Sequence, residues 1–359
     1  MYFLKANMEG KRMIKRIEWI DIAKGIGIIF VIIGHCVYFG GGIHNFIFSW
    51  HMPMFFILSG FVFVIEDKKK IVKRKMKTLL LPYVLFSCIG LCITLIIPAW
   101  RNKYGLKAFI YDVYMASPDY ANVSSIWFLV CLFITTILFV FLSQISNKYI
   151  SYIGISVCAL LGFCFSYSRF NIPYLPGKRL PWNIDVALVS VLFFAIGYYI
   201  KNYTFEIVSK YQQCKIVLKF IIILVVFTVS VIGVCLNGRV NLHGLTFQNP
   251  ILYIINAMSG TALIILISII LSDMRKVKKL FLWYGRNSLK LLGIQAIVVR
   301  LYIVAVNTIF NANYELYFLP ANHVFYASIM VIGISSLIVM AYNKIKKCIN
   351  CKNNFELFT

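Results

Sequence analysis

The chain has 359 residues, 61% of them hydrophobic and 13% charged, with a mean hydropathy of +0.83. A soluble globular protein is closer to about 45–50% apolar and about 25% charged, so this balance excludes a soluble enzyme and points to one polytopic membrane domain. The net charge of +24 does not signal nucleic-acid binding. Its Lys and Arg residues gather in short segments beside apolar runs, the pattern that orients membrane proteins, and attraction to anionic lipid headgroups is secondary.

Residues 1–18 form a basic N-terminus carrying Lys5, Lys11, Arg12, Lys15 and Arg16. The apolar run that follows is too long for a signal peptide and lacks a small-residue cleavage site, so an uncleaved first span is expected. About ten segments reach the length needed to cross a ~30 Å hydrocarbon core. They lie near 19–39, 47–65, 79–98, 126–142, 150–167, 184–200, 216–236, 250–271, 288–309 and 324–343. The expected fold is all-α, a polytopic transmembrane helical bundle over 19–343 with a basic tail at 344–359. With the N-terminus inside, the cytoplasmic segments hold 25 of the 36 Lys and Arg and the opposite loops hold 7. That asymmetry predicts both termini in the cytoplasm, as in a bacterial plasma (inner) membrane. Loop 99–125 carries Trp100, Tyr104, Tyr111, Tyr114 and Tyr120, either interfacial anchors or a platform for sugar rings. The ten Cys read as small buried hydrophobes, and the single C-x-x-C at Cys348 and Cys351 cannot complete a zinc site. No metal site is expected.

Ionisable groups inside a span are costly and by default raise a functional hypothesis. Lys24 and His35 stand eleven residues apart in the first span, on nearly one helical face and roughly 16 Å apart along its axis. The second span opens with Ser49-Trp50-His51-Met52-Pro53, which places His51 at about the outer depth of His35. Imidazole titrates near neutrality and suits proton abstraction from a hydroxyl; the alternative is a helix-packing hydrogen bond. Lys24 either snorkels to the surface, pairs with Asp21 three residues earlier, or holds an anionic group from the cytosol. Gly285-Arg286-Asn287-Ser288 opens the ninth span, with Asn287 or Ser288 as N-cap. A helix N-terminus beside Arg286 and Lys290 is also an anion site. Arg300 follows about 18 Å further along.

These residues resemble the acyltransferase-3 family of integral membrane acyltransferases. Asp21-Ile-Ala-Lys24-Gly…Gly34-His35 is similar to that family's basic-x10-His motif, His51-Met-Pro53-Met-Phe-Phe-Ile-Leu-Ser59-Gly60 to its second-span signature, and Ile126-Trp127-Phe128-Leu129 to the opening of its fourth span. Leu180-Pro-Trp-Asn-Ile-Asp185, Phe193-Phe-Ala-Ile-Gly197-Tyr198, Asn237-Gly-Arg239-Val-Asn241, Asn249-Pro250 and Gly285-Arg-Asn-Ser-Leu289 resemble its fucose 4-O-acetylase-like branch. The match covers roughly 17–343. It implies a ten-helix enzyme that moves an acyl group, usually acetyl, from cytosolic acyl-CoA to a hydroxyl of a glycan or lipid-linked sugar. Carried over, His35 is the catalytic base or acyl-handling residue, and Lys24 takes the basic position that handles the donor. The ninth span often has a His where Gln295 stands here, so a third-His role does not carry over.

The expectation is therefore an integral membrane O-acetyltransferase of the cell envelope that moves acetyl to a hydroxyl of a cell-surface or lipid-linked glycan, such as a polysaccharide. Acetyl-CoA is a substrate, and no resident cofactor is expected. Lys24, Arg286 and Lys290 bind the donor, while His35 and His51 carry the chemistry. Asp21, Ser59, Trp127 and Arg300 lend polar support, with Trp127 or Ser59 as candidate oxyanion donors. The rival reading is a carrier or flippase for a polyprenyl-linked sugar. Transporters often show inverted repeats, and none is evident.

Overall fold

The computed structural model describes residues 4–6, 12–14, 16–37, 41–96, 106–116, 124–168, 180–310 and 321–355. Thirteen α-helices account for most of them. They are α1 Glu18–Cys36, α2 Gly42–Phe61, α3 Lys68–Lys75, α4 Leu81–Ile96, α5 Leu106–Met115, α6 Trp127–Ser143 and α7 Lys148–Ser168. Then follow α8 Ile184–Gln213, α9 Ile216–Asn237, α10 Pro250–Asp273, α11 Arg275–Arg286, α12 Ser288–Ile309 and α13 Ala321–Phe355. Two three-residue strands, β1 Leu4–Ala6 and β2 Arg12–Ile14, pair antiparallel before α1. Of the loop aromatics, Trp100, Tyr104 and Tyr120 lie outside the described residues, while Tyr111 and Tyr114 are exposed on α5.

Among the described residues, eight helical stretches are long and apolar enough to cross a membrane, against about ten expected. The expected second and fourth spans are also helices. α2 is diluted by His44, Asn45 and His51, and α6 has only 17 residues. Three expected boundaries are corrected. α2 starts at Gly42, not near 47, because His44 is buried within its first turn and stacks on Phe48. The basic stretch 66–78 is helical from Lys68 and runs through a π-helical turn, Met76–Leu80, into α4. Residues 272–287, expected only as a cytoplasmic segment between spans, hold the amphipathic helix α11.

Two helices, α4 and α9, reverse the polarity of a helix on the surface of a soluble protein. On α4 the buried residues are Tyr83, Ser87, Gly90 and Thr94, while Leu81, Val84, Leu85 and Ile89 face out. On α9 the buried set is Lys219, Ser230, Gly233, Val234 and Asn237. Hydrocarbon is as apolar as Leu, so small and polar residues face other helices, where backbones approach and hydrogen bonds form. Cys88 and Cys92, expected buried, share the outward face of α4. This pattern marks a polytopic transmembrane bundle.

Two glycine pairs set the closest helix crossings. A Cβ on Gly25 of α1 would strike the Phe281 carbonyl of α11, and one on Gly285 would strike the Asp21 carbonyl of α1. Gly60 of α2 and Gly197 of α8 stand likewise against the Phe194 and Ile57 carbonyls. Gly285→Val is expected to destabilise the protein by about 1–3 kcal/mol through overpacking. Gly333→Val is the control, since Gly333 has open space where a Cβ would go. Thermal unfolding in detergent should show a lowered midpoint for the first variant only.

Candidate active site

Lys24 and Arg286 are brought together by the α1–α11 crossing. They line one cavity of about 250 Å³ with Arg16, Asp21, Ser59 and Ser288. Arg286 Nε lies 3.7 Å from Asp21 Oδ2, so the Asp21 carboxylate pairs across helices, and its charge also acts on Lys24. Three cations against one carboxylate leave the mouth net positive. Ser288 begins the 22-residue α12, whose N-terminal amides carry partial positive charge.

From this mouth the cavity follows one stripe of α1: Lys24, Ile28 and Val31 line it, and His35 is the next residue on that face. Met52, Phe55 and Ser59 of α2 form the opposite wall, Phe128, Leu129 and Leu132 of α6 a third, and Leu289 and Leu292 of α12 a fourth. Leu79, within the π-turn, also lines it. π-bulges frequently mark functional positions. Ser59 therefore sits in the lower cavity, about 12 Å along α2 from His51.

The expected equal depth of His35 and His51 is not observed. Gly34 packs against Ile47 and Phe48, Gly27 against Met54 and Phe55, and the Phe30 and Trp50 rings lie 5.4 Å apart. That register sets His51 opposite residues 30–31, about one turn below His35. The earlier start of α2 is the cause. His51 consequently stands level with the upper end of the cavity, next to its lining residue Met52. Its Nδ1 is 2.8 Å from the Ile47 carbonyl oxygen. A carbonyl only accepts, so Nδ1 donates, and neutral His51 keeps its lone pair on Nε2.

His44 was missed because it fell before the expected span. It is fully buried, 3.8 Å from Phe48 in a stacked pair, and Phe48 meets His51 edge-on at 4.8 Å. His44, Phe48, His51 and Phe55 recur at helical spacing, a signal present in the sequence. Both His44 and Arg300 act electrostatically on His35, and His35 and His44 act on His51. Arg300 thus lies near His35, as its distance along α12 implies. His243, also missed, stacks on Trp127 at 4.6 Å, immediately before cavity-lining Phe128. It sits in loop 238–249, whose Val240, Leu242 and Phe247 are buried in the main core.

Lys290 is not at the cavity. Its Nζ donates to Asn343 Oδ1 at 2.5 Å and Asn287 Oδ1 at 3.3 Å, and it lies over the Tyr342 ring. Asn287 occupies the N-cap position, but its side chain donates to the Trp283 carbonyl instead of capping. Gln295 is fully buried beside the Leu292 carbonyl. Among the described residues, no group of three His, Cys, Asp or Glu could hold a metal ion.

The α1–α2 register is checked by cysteine cross-linking in a cysteine-free background. A Cβ at Gly34 would lie 3.2 Å from Ile47 Cγ2, within disulfide reach. Gly34→Cys with Ile47→Cys should therefore oxidise readily, and His35→Cys with His51→Cys should not.

A family model described as an acyltransferase domain matches residues 17–341. Searches of curated proteins and of solved structures each returned no match. The family match covers nearly all of the chain and includes the cavity lining other than Arg16, and the histidines above it. The chain belongs to the acyltransferase-3 family and is a multi-pass membrane acyltransferase.

Proposed function

We propose that the protein moves an acetyl group from cytosolic acetyl-CoA to a hydroxyl of a cell-surface or lipid-linked glycan at the opposite face of a bacterial plasma membrane. The observation that carries this reading is the cavity with a cationic mouth and an apolar shaft. The mouth suits the phosphates of a nucleotide-bearing donor. The narrow apolar shaft suits its pantetheine arm, directed along the Lys24–Ile28–Val31 stripe toward His51 and His35. The Lys and Arg asymmetry supports a cytosolic position for the mouth and for both termini. The 16 Å or so between Lys24 and His35 means that Lys24 anchors the donor without touching the reacting carbonyl.

In this mechanism His51 Nε2 accepts an N–H from His35, which fixes the His35 tautomer. His35 takes the proton of the sugar hydroxyl through its other nitrogen. The oxygen attacks the thioester carbon, the C–S bond breaks, and the coenzyme leaves as a thiolate that regains a proton. The imidazole cluster with Arg300 supplies positive charge near the developing oxyanion. Ser59 lies too low for that role. Arg286 shares donor binding with Lys24, and Lys290 buttresses the α12–α13 contact.

The test is transfer of radiolabelled acetyl from acetyl-CoA into a glycan fraction by purified protein in nanodiscs. His35→Ala is expected to lower turnover by about 100-fold or more, the usual scale for a general base. Lys24→Met should raise KM for acetyl-CoA by about tenfold, equivalent to ~1.4 kcal/mol, while Lys290→Met leaves KM unchanged. Full glycan acetylation by His35→Ala would overturn the mechanism.

A further inference from the structure

Gln295 is a buried polar group beside the shaft that the proposed mechanism leaves unused. α12 lines the catalytic cavity with Ser288, Leu289 and Leu292. Residues three and four further along a helix continue one face, so Gln295 is next on that stripe, at the upper end of the cavity. The side chain is fully buried. Its Nε2 reaches back to the Leu292 carbonyl oxygen at 3.5 Å, too long for a strong bond. That carbonyl already accepts from Ser125 Oγ at 2.9 Å. Gln295 Oε1 has no hydrogen-bond partner among the described residues. A buried amide oxygen without a donor is costly, and a bound molecule that brings an N–H to it removes that cost.

The height of this oxygen says which group meets it. α1 and α12 run side by side from the mouth, where Lys24 and Ser288 both line the cavity. Further along, Ile32 and Cys36 share a cluster with Val298, Val299 and Ile303. Gln295 is therefore level with residues 29–31 of α1, the level of His51, and His35 lies roughly 6 Å higher. In an acyl-CoA, the secondary amide nearest the thioester is two methylenes from the sulfur, about one helical turn from the acyl carbon. With the acyl carbon at His35, that amide falls at Gln295. We propose that Gln295 is a donor-binding residue, whose Oε1 accepts the N–H of this pantetheine amide and so fixes how far the thioester enters the shaft. The inference rests on the reading of the protein as an acetyl-CoA-dependent acetyltransferase. It adds a selection that the cationic mouth cannot make. Phosphates for Lys24 and Arg286 are common to all nucleotides, whereas an N–H at this depth belongs to a pantetheine thioester.

The experiment measures equilibrium binding to the full chain in nanodiscs. The ligands are acetyl-CoA and an acetyl-CoA analogue in which an ester oxygen replaces that amide N–H. Wild type should bind acetyl-CoA about tenfold more tightly than the analogue, the scale of one hydrogen bond. Gln295→Met keeps the volume and removes the amide. It should weaken acetyl-CoA binding by about tenfold and bind the two ligands equally. Lys24→Met should weaken both ligands and keep their ratio. Because Oε1 has no protein partner to lose, Gln295→Met without ligand should unfold at or above the wild-type temperature. No preference for acetyl-CoA in wild type, or a preference that survives in Gln295→Met, would overturn the proposal. A lowered unfolding temperature would assign the amide to packing and overturn it too. The comparison of the two ligands on wild type stands whether or not the variant folds. Acetyl transfer is measured in parallel. The expected preference without acetyl transfer would count against the functional reading alone, and acetyl transfer without the preference would count against the role of Gln295 alone.

Discussion

Everything at the Lys24 end depends on the contact between α1 and α11, where Gly25 and Gly285 each face a backbone carbonyl of the other helix. No side chain fits there, so the two helices approach as closely as their backbones allow. Such approaches gain from dispersion and from Cα–H···O contacts. The consequence is local and chemical. Asp21 and Lys24 project from one partner and Arg286 from the other, and the crossing brings all three to one cavity mouth. A wider crossing would separate the cations and open the shaft. The second glycine pair, Gly60 with Gly197, braces α2 against α8 and keeps the opposite wall in place.

The shaft above this mouth shows why polar groups persist inside an apolar bundle. Buried polar side chains need partners where water is scarce, and His44 and His51 find partners on their own helix. His51 is held by the Ile47 carbonyl, and Phe48 lies between His44 and His51. The arrangement sets the His51 tautomer and stations the histidines just beyond the cavity. Lys290 shows the contrasting case, an intramembrane cation whose charge is spent on two asparagines and a tyrosine ring.

Helical content and membrane character were legible in the sequence because long apolar runs have no other stable form in lipid. The Lys24–His35 stripe was legible because helical periodicity alone sets it, and α12 spans the very residues expected of the ninth segment, 288–309. The start of α2 was not legible. Gly40-Gly41-Gly42 followed by His44 and Asn45 has the composition of a turn, and tertiary burial of His44 overrides it. That error displaced His51 by about a turn and hid His44. The helical form of α11 was not legible, since its basic face reads as polar linker between spans, although its apolar face packs on α1. The inward fold of loop 238–249, which delivers His243 to Trp127, depends on contacts distant in sequence and leaves no local signal. The direction of Lys290 was equally hidden, since Asn343 lies 53 residues away in sequence.

In the proposed mechanism, donor and acceptor meet from opposite faces of the membrane along one stripe of α1. Proteoliposomes with uniformly oriented protein test it most directly. Acetyl-CoA is supplied only on the Lys24 side, and a sugar acceptor is confined to the His35 side. Acetylated acceptor is expected on the His35 side and free coenzyme A on the Lys24 side, with both lost in Lys24→Met at low donor concentration. Acetylation only when donor and acceptor share one compartment would contradict it.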